Sequence, residues 1–94
     1  NKDKGKDFYF QDGAGWLMAK KGNYKEAVKI LEDAIKNTPP DNIQFLANEH
    51  YHIGMVYLSM GRKNLARQNL EKAMELNKDT RFIADIKGIL SKLT

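Results

Sequence analysis

Few side chains in this 94-residue sequence are equipped for chemistry. His50 and His52 stand two apart, Glu49 adjoins them, and Asp85 stands alone. A metal needs ligands that converge, and residues two apart on a helix point in different directions, so the histidines make a poor chelate and His50 reads as a packing residue. Glu49 and Asp85 are single carboxylates, for which solvated surface is the default reading. The chain has no cysteine, no Gly-rich phosphate loop, no His-Glu-x-x-His and no nucleophile set beside a base and an orienter. Catalysis has no foothold, so an enzyme is not expected. No cofactor and no metal are expected either.

Composition narrows the classes further. With 41% apolar and 30% charged residues the sequence suits one small globular domain, and no apolar run approaches the roughly 20 residues that cross a bilayer. The absence of cysteine fits a reducing compartment such as the cytoplasm without excluding an exported protein. The chain opens at Asn1 on a polar run with no apolar signal core behind it, the start expected of a piece of a longer protein or of a processed one. A formal net charge of +4 makes nucleic acid a partner to weigh. Its lysines are interspersed with carboxylates, however: Lys25, Glu26, Lys29, Glu32, Asp33 and Lys36 form a solvated helix face, with Lys29 to Asp33 and Glu32 to Lys36 at pairing distance along it.

What organises the chain is an internal repeat. Gly15 and Gly54, Gly22 and Gly61, Ala27 and Ala66, Leu31 and Leu70, Glu32 and Glu71, and Ala34 and Ala73 are each 39 positions apart. A repeat of this length means stacked supersecondary units, each too small to bury its own apolar face, with function on the surface that the stack creates.

The elements follow from punctuation and period. A first helix is expected from Phe8 to Lys20, with Gly13 and Gly15 inside it, each costing about 1 kcal/mol against alanine and each therefore expected to have a packing reason. Gly22 ends it, and Asn23 with Glu26 resembles a capping box. A second helix should run from Tyr24 to Asn37, its apolar positions recurring at three and four, until Pro39 and Pro40 stop it. Asp41 with Gln44 suggests the start of a third and longest helix, about Asn42 to Ser59. Gly61 leads into a fourth, about Lys63 to Leu76, with Arg62 a poor cap; Asp79 or Thr80 caps a fifth carrying Phe82, Ile83, Ile86, Ile89, Leu90 and Leu93. No segment alternates with period two, so the fold is expected to be all-α, in antiparallel pairs. Such hairpins pack closely only where glycine or alanine faces glycine or alanine, which sets Gly15 against Ala27 and Gly54 against Ala66, while Ala34 and Ala73 take the next unit's first helix.

With those positions placed, the pattern resembles the tetratricopeptide repeat. The second unit offers Ile53-Gly54, Tyr57, Gly61, Ala66, Leu70 and Ala73, with Lys78 where the closing proline is usual. The first offers Ala14-Gly15, Met18, Gly22, Tyr24, Ala27, Leu31, Ala34 and Pro39, with Met18 where tyrosine is usual. Gly88 follows Gly54 by 34, marking the last helix as a cap in the position of a third unit's first helix. The resemblance implies a right-handed superhelix of five helices within one domain: repeat one about 8–41, repeat two about 42–79 and a capping helix about 80–93. The five residues by which 39 exceeds the family's 34 fall around Asp41 to Leu46 and lengthen the third helix.

In that family the first helices of successive hairpins line a concave face. Mapped here it carries Tyr9, Asp12, Trp16, Asn48, Tyr51, His52, Met55 and Ser59. Aromatic rings and methionine on such a wall suit a peptide or helix of a partner protein. The alternatives are that Trp16 and Tyr51 are partly buried between helices, that the aromatics stack bases in a nucleic-acid-binding repeat, or that the surface meets another copy in a homo-oligomer. One subclass grips a carboxylate tail with lysines and asparagines. The aligned positions here, Asp12, Trp16, His52, Phe82 and Ile86, supply none of them, so that clamp is not expected.

Overall fold

The computed structural model describes residues 7–93, which form five helices: α1 (Asp7–Lys20), α2 (Tyr24–Asn37), α3 (Ile43–Ser59), α4 (Lys63–Leu76) and α5 (Thr80–Ser91). No strand occurs among the described residues. None of these helices is long and apolar enough to cross a membrane. The chain's opening polar run, up to Lys6, lies outside the described residues.

Glycine makes both tight turns. Gly22 and Gly61 have φ of 86° and 75°, the left-handed region that side chains resist. In the first turn the Asn23 amide donates to the Met18 carbonyl at 2.9 Å and the Gly22 amide to that of Ala19 at 3.0 Å. In the second, Arg62 donates to Tyr57 at 2.9 Å and Gly61 to Leu58 at 3.0 Å, the same pattern 39 residues on. This is the Schellman closure of a helix end, and it reverses the chain into an antiparallel partner.

The hairpins then zip from those turns. From the turn outward, α1 and α2 meet through Met18 with Asn23, Gly15 with Leu31 and Gln11 with Asn37. α3 and α4 meet through Gly54 with Leu70 and His50 with Asn69. A Cβ added at Gly15 would lie 2.7 Å from Leu31 Cγ, and one at Gly54 2.9 Å from Leu70 Cγ. The expected alanine contacts are present one step further off, at 3.4 Å from the Ala27 carbonyl oxygen and 3.3 Å from that of Ala66. It is thus a leucine one turn along, fully buried in each hairpin, that fills the space the glycine leaves. Gly13 differs from the expectation set for it. It is exposed, and nothing lies within 4 Å of an added Cβ, so no packing within the chain accounts for it.

Two cores hold the stack. Ala27 and Leu31 of α2 pack with Ile53 and Val56 of α3, joining the hairpins. Leu70 and Ala73 of α4 pack with Ile86 of α5, and Phe82, Ile89 and Leu90 close over them. Ala34 and Ala73 are wholly buried, in keeping with their place at the joints between units. The molecule is a slab of 44 × 29 × 17 Å whose thin dimension is about two helix layers at 8–10 Å spacing. α3, at 17 residues against 14 in α1, α2 and α4, is longer by three residues, just under one turn, rather than by the five of the insertion. That added length brings Phe45 against Phe8 and Tyr9, at centroid distances of 5.2 and 4.7 Å.

Helix starts correct the sequence reading. Asn23 is the N-cap of α2 but makes no side-chain cap bond, and its amide nitrogen instead reaches Met18 Sδ at 3.6 Å. Asn42 rather than Asp41 caps α3, again without a side-chain bond. The cause is the backbone. Asn23, Asn42 and Arg62 have ψ of 68°, 67° and 74°, whereas Asp79 has the extended ψ of 129° from which its carboxylate accepts the Phe82 amide at 3.0 Å. The expected pairs on α2, Lys29 with Asp33 and Glu32 with Lys36, do not close. Among the described residues Lys72 pairs with Glu75, and the Asp12 carboxylate meets the His52 imidazole. Ordering two long solvated side chains gains little.

Candidate functional site

The wall expected to carry function is built by α1 and α3, with α5 continuing it. Trp16 lies flat on His52, with centroids 4.5 Å apart and planes at 24°. His52 meets Tyr51 at 6.0 Å, and Tyr51 meets Phe82 of α5 at 5.8 Å. These four rings form one row across three helices. Phe82 is the member that the sequence mapping left out. The signal was available, since Phe82 follows the wall position Asn48 by 34 residues.

Polar contacts fix the row at its α1 end. His52 Nδ1 lies 3.0 Å from Asp12 Oδ1, with Asp12 buried, so the imidazole is held from one side by a carboxylate and covered by an indole on its face. His50 instead turns to α4, its Nδ1 3.0 Å from Asn69 Oδ1. The two histidines therefore serve different helices, and His50 is a half-buried, hydrogen-bonded packing residue as read from the sequence. Trp16 and Tyr51 are both half-buried, which keeps each ring in place while leaving part of it to solvent.

Beside Trp16 the surface dips into a recess of about 310 Å³ lined by Trp16, Ala19, Lys20, Tyr24, Met55, Val56 and Ser59. Trp16, Met55 and Ser59 meet there. Asn48 is exposed on α3. Tyr9 is 51% exposed and belongs to the separate cluster with Phe8 and Phe45.

Glu49 overturns the expectation of a solvated carboxylate. It is wholly buried, both of its oxygens 2.8 Å from the hydroxyl of buried Thr38, whose Oγ1 is also 2.7 Å from the Ala34 carbonyl oxygen. A hydroxyl has one proton to give. That proton is shared between the Ala34 carbonyl and the Glu49 carboxyl oxygens, all of which accept from Thr38. Burial pushes the Glu49 carboxyl up to about 7; the Thr38 hydrogen bond opposes this, nearby Asp12 adds to it and His52 opposes it. Asp85 is exposed, as expected.

Comparison with known proteins fits this geometry. Two family models described as tetratricopeptide repeat match the chain, one over residues 11–39 and the other over residues 50–80. No curated protein and no solved structure matched it significantly.

Proposed function

The chain belongs to the tetratricopeptide repeat family, whose repeats are generally protein–protein interaction modules, and on that premise we propose that its wall holds an extended or helical segment of a partner protein. The observation that carries the reading is the row of Trp16, His52, Tyr51 and Phe82. Rigid, half-buried aromatics offer large contact area at small entropic cost and dominate interface energies. The recess beside Trp16, with the Met55 thioether in its lining, suits one apolar side chain of the partner. Tyr9, Asn48 and Ser59 extend the surface, and Asp12 acts through His52 by holding its ring.

The same rings would also suit stacked bases, which makes a nucleic-acid-binding repeat the second reading. A peptide selected from a displayed library against the immobilised chain tests both. Its affinity should fall at least about tenfold on Trp16→Ala, since hot-spot truncations cost about 2 kcal/mol or more. It should change little as salt rises. Binding indifferent to Trp16→Ala, or a single-stranded oligonucleotide that binds with a steep log-log loss in salt, would overturn the peptide reading.

A further inference from the structure

The chain's net positive charge is gathered at one edge. The two hairpin turns with the helix ends that flank them, residues 20–26 and 59–65, hold five cations, Lys20, Lys21, Lys25, Arg62 and Lys63, against one carboxylate, Glu26. That excess equals the formal net charge of +4, so the rest of the sequence is neutral as a whole. The turns adjoin in the fold. Tyr24 at one and Met60 at the other pack on the same core, and Lys20 and Tyr24 share the lining of the Trp16 recess with Ser59. All five cations are exposed, and among the described residues none lies within ion-pair distance of a carboxylate. Along α2 lysines alternate with carboxylates, whereas one sign prevails across these two neighbouring turns.

We propose that the partner segment held by the wall carries acidic residues beside its apolar anchor, on the side that crosses this edge. The inference rests on the groove reading above, which it extends by naming the partner's charge. Lys20 joins the two surfaces, since it lines the recess beside Trp16 and is the first cation of the edge. A chain that seats an apolar side chain in the recess and leaves it past Lys20 therefore passes onto the cations of the turns. A bare polyanion would satisfy the edge alone. A segment with an apolar anchor and flanking carboxylates satisfies the recess and the edge together. Each pair with an exposed, hydrated lysine is worth little by itself, so the anchor supplies most of the affinity and the acidic flank adds selectivity and faster approach. This keeps the peptide's response to salt small beside that of a phosphate backbone. The cations lie away from Asp12, Trp16, His52, Phe82 and Ile86, the positions of the family's carboxylate grip, so the contact is a different one made by different residues.

The test uses a peptide selected against the immobilised chain in high salt, where a Debye length of about 3 Å at 1 M leaves the anchor to decide. The peptide is then resynthesised with Glu-Glu-Glu, Gln-Gln-Gln or Lys-Lys-Lys at one end or the other and titrated in low salt. At one of the two ends the Glu flank should bind roughly tenfold tighter than the Lys flank, with Gln between them, and the spread should close as salt rises. Lys21→Glu combined with Lys63→Glu should reverse that order, and every version should need Trp16. Peptides indifferent to Trp16→Ala would remove the groove reading and this inference with it. Peptides that need Trp16 yet bind alike with Glu and Lys flanks would remove this inference alone. A Glu preference that survives the double charge reversal would place the acidic contact elsewhere and overturn it. So would a single-stranded oligonucleotide, or phosphatidylserine vesicles, held through Lys21 and Lys63 more tightly than the Glu-flanked peptide.

Discussion

Phe10 in the first hairpin and Glu49 in the second hold the same place in the repeat, yet the phenylalanine faces solvent and the glutamate is wholly buried. Each leading helix presents this face outward. α3 finds α2 waiting for it, and α1 finds nothing among the described residues. The difference shows that burial in a stacked repeat is decided by the neighbour as much as by the residue. What the hairpins share, the glycine that admits a leucine, lies inside each unit and does not depend on position in the stack.

That contrast can be broken most forcefully at the shared contact. Leu31→Ala and Leu70→Ala should each cost about 2–5 kcal/mol, since both side chains are wholly buried and leave a cavity. Chemical denaturation should find the two costs similar. A loss at one site with near-neutrality at the other would show that the hairpins are not equivalent.

At the position where the hairpins differ, pH sharpens the comparison. The Glu49 carboxyl titrates near 7 in the fold against 4.5 when free, so the neutral form is the one the fold favours. The stability tied to it is fully present below about 4.5 and is lost as pH rises through about 7, in total on the order of 3 kcal/mol. Glu49→Gln should flatten this part of the stability profile. An unchanged profile in that variant would mean that Glu49 is ionised in the fold or that another group is responsible.

A smaller effect with the opposite sign is expected at Gly13. Gly13→Ala should stabilise the monomer by up to about 1 kcal/mol, because the site is exposed and nothing opposes a Cβ. Destabilisation measured by dilute thermal melts would reveal a contact at this site within the chain.

Much of this architecture was legible in the residues. Gly22, Gly61 and the Pro39–Pro40 pair bracket the helices, and the spans of α2 and α4 coincide with those read from periodicity. The caps were not legible. The turns set the backbone of Asn23 and Arg62 near ψ 70° whatever their side chains prefer. Nor was Glu49, because a carboxylate beside two histidines reads as surface until Thr38, eleven residues earlier, is brought to it by the stacking of α3 on α2. Of the wall, Trp16, His52, Tyr51 and Met55 were identifiable from the repeat, whereas Tyr9 falls into a separate cluster because the added length of α3 carries Phe45 to it.

The claim beneath all of this is that Gly54 exists to admit Leu70, as Gly15 admits Leu31. A double-mutant cycle of Gly54→Ala with Leu70→Ala measures it directly by equilibrium unfolding. The methyl that clashes with Leu70 should be tolerated once that side chain is cut back, so the double variant should be more stable than the sum of the two losses by about 1 kcal/mol or more. Strict additivity would contradict the contact on which both hairpins are built.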